Sequence, residues 1–198
     1  MAGSSTHPDL PRNLVLIGGR GCGKSSIAKR LARSNRHFQL FSLDALVRYE
    51  AGGASIPELV EREGWAGFRA REREVVRKVA ALEGGALIDC GGGVVVELDD
   101  EGRERFNAAN VADLRRHGFV VYLQRPLDYL EARVDTDPNR PALGRETFRA
   151  VMERREPWYR QAAHRVIDCG GETKGVLADR TLEAFYAEIG IDPSEVAG

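Results

Sequence analysis

Long apolar runs are missing from this sequence. None of its 198 residues lies in a stretch approaching the ~20 needed to cross a bilayer, which argues against a transmembrane helix. Residues 1–12 are polar and lack the apolar core of a secretory signal, so they predict a disordered tail ahead of the first strand. An excess of charge is missing too. The formal net charge is −1, so no global field draws nucleic acid or an anionic membrane. An anionic ligand must then be held by local clusters of Arg and Lys. Cysteine is scarce: Cys22, Cys90 and Cys169 are an odd number without CxxC spacing, which argues against a disulfide framework or a structural zinc site. Free thiols in a reducing cytoplasm are the expectation. Internal repeats and low-complexity segments are absent as well.

What is present suits one domain with one core. The apolar share is 42% and the charged share 30%, both ordinary for a globular protein. The domain is expected over residues 13–190, with a short tail over 191–198. Short apolar runs predict strands near Leu14–Ile17, Phe38–Phe41, Ala86–Ile88, Phe119–Leu123 and Arg165–Asp168. Helical spacing predicts helices near Lys24–Ser34, Trp65–Glu83, Pro126–Arg133 and Thr181–Ile189. The stretch Asp135–Arg145, rich in Asp, Pro, Asn and Gly, reads as a loop. Strands alternating with helices point to an α/β fold with a parallel sheet covered on both faces.

The most specific motif is Gly18-Gly19-Arg20-Gly21-Cys22-Gly23-Lys24-Ser25, which fits GxxxxGK(S/T) between a predicted strand and a predicted helix. Small residues let the backbone wrap closely enough for its N–H groups to point at phosphate oxygens. The helix N-terminus adds partial positive charge. Gly21, Cys22, Gly23 and Ser26 would line the nucleotide, Lys24 would reach its β- and γ-phosphates, and Ser25 would offer a hydroxyl to Mg²⁺. This motif indicates a nucleotide and leaves the reaction open.

Four further features bear on the second substrate. Asp44 follows the second predicted strand. Arg69 and Glu72 stand three apart on a predicted helix, so the carboxylate can hold the guanidinium. Gly91, Gly92 and Gly93 follow the third strand and allow close approach to the backbone. Arg155 opens the late stretch Arg155-Glu156-Pro157-Trp158-Tyr159. Singly, these fit a helix N-cap, a solvated ion pair, a turn and a helix-end cation.

Together, from about Asn13 to Cys169, they resemble the shikimate kinase family. The stretch from Ser55 to Arg69 and the "PWY" at Pro157 look especially like the kinase section of the arom polypeptide. The resemblance implies a P-loop NTPase fold of nucleoside monophosphate kinase type. It would have a five-stranded parallel sheet, a lid over Asp135–Arg145, and a small substrate-binding helical segment roughly between Leu46 and Ala66. It implies ATP and shikimate as substrates, Mg²⁺, a role in chorismate and aromatic amino acid biosynthesis, and a monomer. Asp44 then falls on the group that contacts the attacking hydroxyl, and Arg69 and Arg155 on the carboxylate clamp. Gly91–Gly93 falls on the substrate loop, Arg133 on the adenine-stacking arginine and Arg140, before Pro141, on the lid arginine.

The chain departs from the family at Ser42, where an Asp that organises the Mg²⁺ shell is usual. Ile88-Asp89-Cys90-Gly91-Gly92 fits an apolar-Asp-x-x-Gly pattern, which offers Asp89 as the replacement metal carboxylate. Two other readings share the phosphate cradle. One is a kinase of another small hydroxy acid such as gluconate. The other is a nucleotide-binding regulator without catalysis.

Overall fold

The computed structural model describes residues 10–134 and 146–192. Residues 1–9 and 193–198 of the predicted tails, and the predicted lid with Arg140, lie outside the described residues.

Chain order sets out β1 (Asn13–Ile17), α1 (Lys24–Ser34), β2 (Gln39–Ser42), α2 (Leu43–Glu50), α3 (Ile56–Ala80) and β3 (Ala86–Asp89). A hairpin of β4 (Val96–Leu98) and β5 (Glu104–Phe106) follows, then α4 (Ala108–His117) and β6 (Gly118–Gln124). The chain closes with α5 (Leu127–Val134), α6 (Phe148–Ala162), β7 (Arg165–Asp168) and α7 (Lys174–Ile189).

The five strands β2-β3-β1-β6-β7 form one sheet, and every pairing in it is parallel. All residues of β1 and β3 are buried, and so are six of the seven in β6. A strand covered on both faces has no polar side, so these segments read as continuous apolar runs instead of alternating ones. With β3 and β6 flanking β1, the loops after β1 and β3 open side by side at the carboxyl edge, where ligands of such sheets bind.

The helix α3 starts on a capping box. The Glu58 backbone N–H donates to Ser55 Oγ at 3.3 Å, and the Ser55 N–H donates to Glu58 Oε2 at 2.7 Å. Gly64, at φ 69 and ψ 175, breaks the helix just before Trp65, a conformation that glycine adopts without a Cβ penalty. The predicted helix from Trp65 therefore begins where the second half of α3 begins, and a further half precedes it.

The hairpin, α4 and α6 were not anticipated. The hairpin strands have three residues each, too few for alternation to show. In α4 only three residues are buried, and α6 carries Pro157 in its interior, which a sequence pattern reads as a stop. Tertiary contacts fix these pieces: Asn110 Nδ2 donates to the Val94 carbonyl at 2.9 Å, and Arg73 pairs with Asp113 at 2.6 Å.

The N-terminal residues nearest β1 are not a loose tail. Leu10 is buried, and Arg12 donates to the Gly118 carbonyl at 2.8 Å and pairs with Glu188 at 2.8 Å. Among the described residues no helix is long and apolar enough to cross a membrane.

Removing the α3 cap should weaken the fold modestly. Ser55→Ala is expected to lower the free energy of unfolding by about 1 kcal/mol, measured by urea denaturation. An unchanged midpoint would show that the capping box contributes nothing.

Candidate active site

The loop from Gly18 to Gly23 joins β1 to α1. Gly18, Gly21 and Gly23 sit at φ 145, 83 and 101, in the region that disfavours side chains. Gly23 serves as the N-cap of α1, so Lys24 and Ser25 are the first helical residues. Lys24 is buried, and its Nζ donates to the carbonyls of Gly18 at 2.7 Å and Gly19 at 3.1 Å. Burial opposes its charge, but Cys22, Tyr159, Asp89 and Asp44 nearby outweigh that and raise its pKa. The ammonium is thus held charged over the loop that would cradle phosphate.

The residues proposed for the acceptor converge on one cleft. Asp44, Arg69, Gly91, Gly92, Gly93 and Arg155 all line it, although they come from four separate stretches of chain. Asp44 is not a helix N-cap. Ser42 holds that position, and Asp44 stands in the first turn of α2, where the helix dipole favours its charge.

Space is tight at the three glycines, most of all at Gly91 and Gly93. A Cβ on Gly91 would lie 2.6 Å from Asp44 Oδ1, and one on Gly93 would lie 2.1 Å from Arg69 Nη2. A Cβ on Gly92 would lie 3.1 Å from the Arg20 backbone nitrogen. The acceptor loop therefore touches the phosphate loop, and the two halves of the site share a wall.

Both arginines already carry carboxylate partners. Arg69 Nη1 donates to Glu72 Oε2 at 2.5 Å, within a pair whose glutamate is only 2% exposed. Burial raises the Glu72 pKa, and Arg69 pulls the other way. The pair is therefore no solvated surface bridge. Arg69 also lies over Trp65 and Phe68, at 5.5 and 5.3 Å from the ring centres, which adds an apolar floor to the cleft. Arg155, within α6, is clamped by Glu104 of β5, with its Nε at 3.0 Å from Oε2. The helix-end reading of Arg155 fails, since seven helical residues follow it.

Asp89 ends β3 and is buried; its Cα pairs in register with Ser42 of β2 and Leu16 of β1. Arg133 sits in the last turn of α5, exposed, with its guanidinium 4.8 Å from the Tyr129 ring centre. Arg125 covers the same ring at 4.5 Å. Ser25 is exposed beside the cradle, Gly21 and Ser26 are half-buried, and Cys22 is buried. Arg140 lies outside the described residues.

Sequence reasoning missed Glu104, which no motif signals. It also gave Tyr159 no separate role. That ring is fully buried, stacks on Tyr122 at 5.2 Å and donates its hydroxyl to the Gly92 carbonyl, fixing the glycine loop from behind.

A cradle of this form after the first strand of a five-stranded parallel sheet defines a P-loop nucleotide-binding protein. The shikimate kinase family model matches residues 20–186. A shikimate kinase of Leptospira biflexa is 36% identical over 172 residues, covering 86% of this chain and 94% of that protein. One of Stenotrophomonas maltophilia is 39% identical over 179 residues, covering 86% and 88%. The solved shikimate kinase from Acinetobacter baumannii in complex with shikimate superposes with a TM-score of 0.76 at 27% identity, covering 91% of this chain and 96% of that one. The chain belongs to the shikimate kinase family.

The crowding at Gly93 gives a direct test of the cleft. Gly93→Ala is expected to displace Arg69 and raise the shikimate KM by on the order of tenfold, as overpacking of about 1–3 kcal/mol implies. The ATP KM should stay near wild type. Steady-state kinetics with each substrate varied decides it, and an unchanged shikimate KM would remove Arg69 from the cleft.

Proposed function

We propose that the protein transfers the γ-phosphoryl group of ATP to the 3-hydroxyl of shikimate, giving ADP and 3-phosphoshikimate. The observation that carries this reading is the convergence of Asp44, Arg69 and Arg155 on a glycine loop that abuts the phosphate cradle.

Shikimate presents one carboxylate and three hydroxyls. Planar guanidinium forks match a carboxylate in two places, which suits Arg69 and Arg155 to its capture. Gly91, Gly92 and Gly93 let the ring approach the backbone. Asp44 accepts a hydrogen bond from the attacking hydroxyl and takes up its proton as the new O–P bond forms and the bond to the β-phosphate breaks. The transition state of phosphoryl transfer is loose, so positioning and charge neutralisation outweigh base strength. Lys24 is to leave its own loop carbonyls for the β- and γ-phosphates, whose oxygens Gly21, Cys22, Gly23 and Ser26 surround. Arg133 is assigned to the adenine. Arg140 is assigned to the transferring group on the sequence pattern alone, with exclusion of water as the gain.

Mg²⁺ would neutralise charge on the phosphates when bound. The donor set fits this ion: Ser25 supplies a hydroxyl at the cradle, and Asp89 supplies a carboxylate at the adjoining strand end. Among the described residues no cluster of three or more His, Cys, Asp or Glu could hold a metal. An ion of this kind is held largely by phosphates and waters, with one or two protein oxygens. The Cα register that pairs Ser42 with Asp89 supports the idea that the family's acid has moved to the neighbouring strand. The same reading gives a cytoplasmic, monomeric enzyme on the route to chorismate and the aromatic amino acids, without nucleic acid or membrane partners.

Acceptor choice is tested by coupled ADP release with shikimate, gluconate or no acceptor. Shikimate should stimulate release far above the others. Equal rates with gluconate would overturn the acceptor, and no stimulation by either would favour a regulator.

The moved carboxylate makes a second expectation. Asp89→Ser should lose most activity, with part restored by raised Mg²⁺. Adding Ser42→Asp should restore more, because the charge returns one strand away at the same level of the sheet. If the double variant is no better than Asp89→Ser, and Mg²⁺ dependence is unchanged in both, Asp89 does not organise the metal.

A further inference from the structure

We propose that Glu104, on the β4–β5 hairpin, is a positioning residue for carboxylate capture: it grips the Arg155 guanidinium by one edge and leaves the other edge for the substrate. This inference rests on the acceptor site described above.

A guanidinium presents two bidentate edges, Nε with Nη2 and Nη1 with Nη2. Glu104 takes the first, through Nε to Oε2 at 3.0 Å and Nη2 to Oε1. Among the described residues Nη1 has no hydrogen-bond partner. Arg155 is only 5% exposed, so without a fixed carboxylate its charge would be buried unpaired.

The edge that Glu104 occupies separates a support from a competitor. Arg155 lines the acceptor cleft, but Glu104 does not. Glu104 lies in an adjoining hollow with Arg103, Arg105, Glu146 and Arg154, and the two spaces share Trp65, Arg69 and Arg155. A residue standing in for the substrate would line the acceptor cleft itself, which Glu104 does not.

Glu104 is itself fixed. Its Oε2 also accepts from Arg154 Nη2 at 3.0 Å and Nε at 3.2 Å, and Arg154 pairs onward with Glu146 at 2.7 Å. Burial works against its charge, but the two arginines outweigh that and hold its carboxyl below the usual range. The hairpin is continuous with the glycine loop: the Val96 N–H donates to the Gly93 carbonyl at 2.9 Å. One segment of chain thus supplies both the loop against which the ring packs and the carboxylate that aims the clamp.

The test combines Glu104→Gln kinetics with the NMR signal of the Arg155 side-chain Nε–H, assigned by its loss in Arg155→Lys. Glu104→Gln should raise the shikimate KM by on the order of tenfold, with kcat and the ATP KM within about twofold. In the Arg155→Lys background the same change should add little, because the fork it orients is gone. The Nε–H signal should shift or exchange faster in Glu104→Gln without any ligand. A lower or unchanged shikimate KM overturns the proposal, and so does an equal loss in all parameters. If the wild type does not use shikimate, the acceptor reading fails by itself. The Nε–H signal then decides alone: unchanged, it overturns the positioning role; altered, it sustains it.

Discussion

Three consecutive residues without a Cβ allow four parts of the chain to meet. The Gly91–Gly93 loop lies against Asp44 of α2, Arg69 of α3 and the Arg20 backbone of the phosphate loop, and it is held from behind by Tyr159 of α6. A methyl group at Gly91 or Gly93 would fall within 2.6 Å or 2.1 Å of a functional side-chain atom. Asp44 or the Arg69 guanidinium would have to move aside to admit it. The glycine loop and the phosphate loop come together backbone to backbone, at Gly92 and Arg20. Gly93 also leads directly into the hairpin that carries Glu104.

The charges around this loop are arranged before any substrate arrives. Each clamp arginine has a glutamate partner, Glu72 for Arg69 and Glu104 for Arg155. Burying such pairs gains little stability, because desolvation offsets most of the attraction. Their value is orientation: a guanidinium held at one edge presents the other at a fixed angle, and less freedom is lost on binding. Lys24 is kept charged by surrounding groups while its ammonium rests on the loop carbonyls. Local clusters of charge are thereby gathered in a chain whose net charge is −1.

Much of this was legible in the sequence where the pattern was local. The buried strands β1, β3 and β6 appear as apolar runs because a doubly covered sheet forbids polar alternation. The cradle is legible because its glycines, lysine and serine are contiguous and its function is carried by the backbone between a strand and a helix. The hairpin, α4 and α6 were not legible. Their residues gain order from partners far away in sequence, as Asn110 does from Val94 and Arg155 from Glu104. Pro157 reads as a helix stop, but α6 continues through it, packed against α5 and β6.

By itself the sequence determined the strand–loop–helix that binds phosphate, the α/β alternation, and the set of residue types able to grip a hydroxy acid. These depend on covalent neighbours and on backbone preferences that operate over a few residues. Only the tertiary structure decided that Asp44 stands in the first turn of α2 and not at its cap, that Ser42 and Asp89 share a level of the sheet, and that Glu104 holds Arg155. The last two join residues far apart in the chain, 51 positions in the case of Glu104 and Arg155. Burial creates them: charges removed from water must find partners wherever the packed chain brings them.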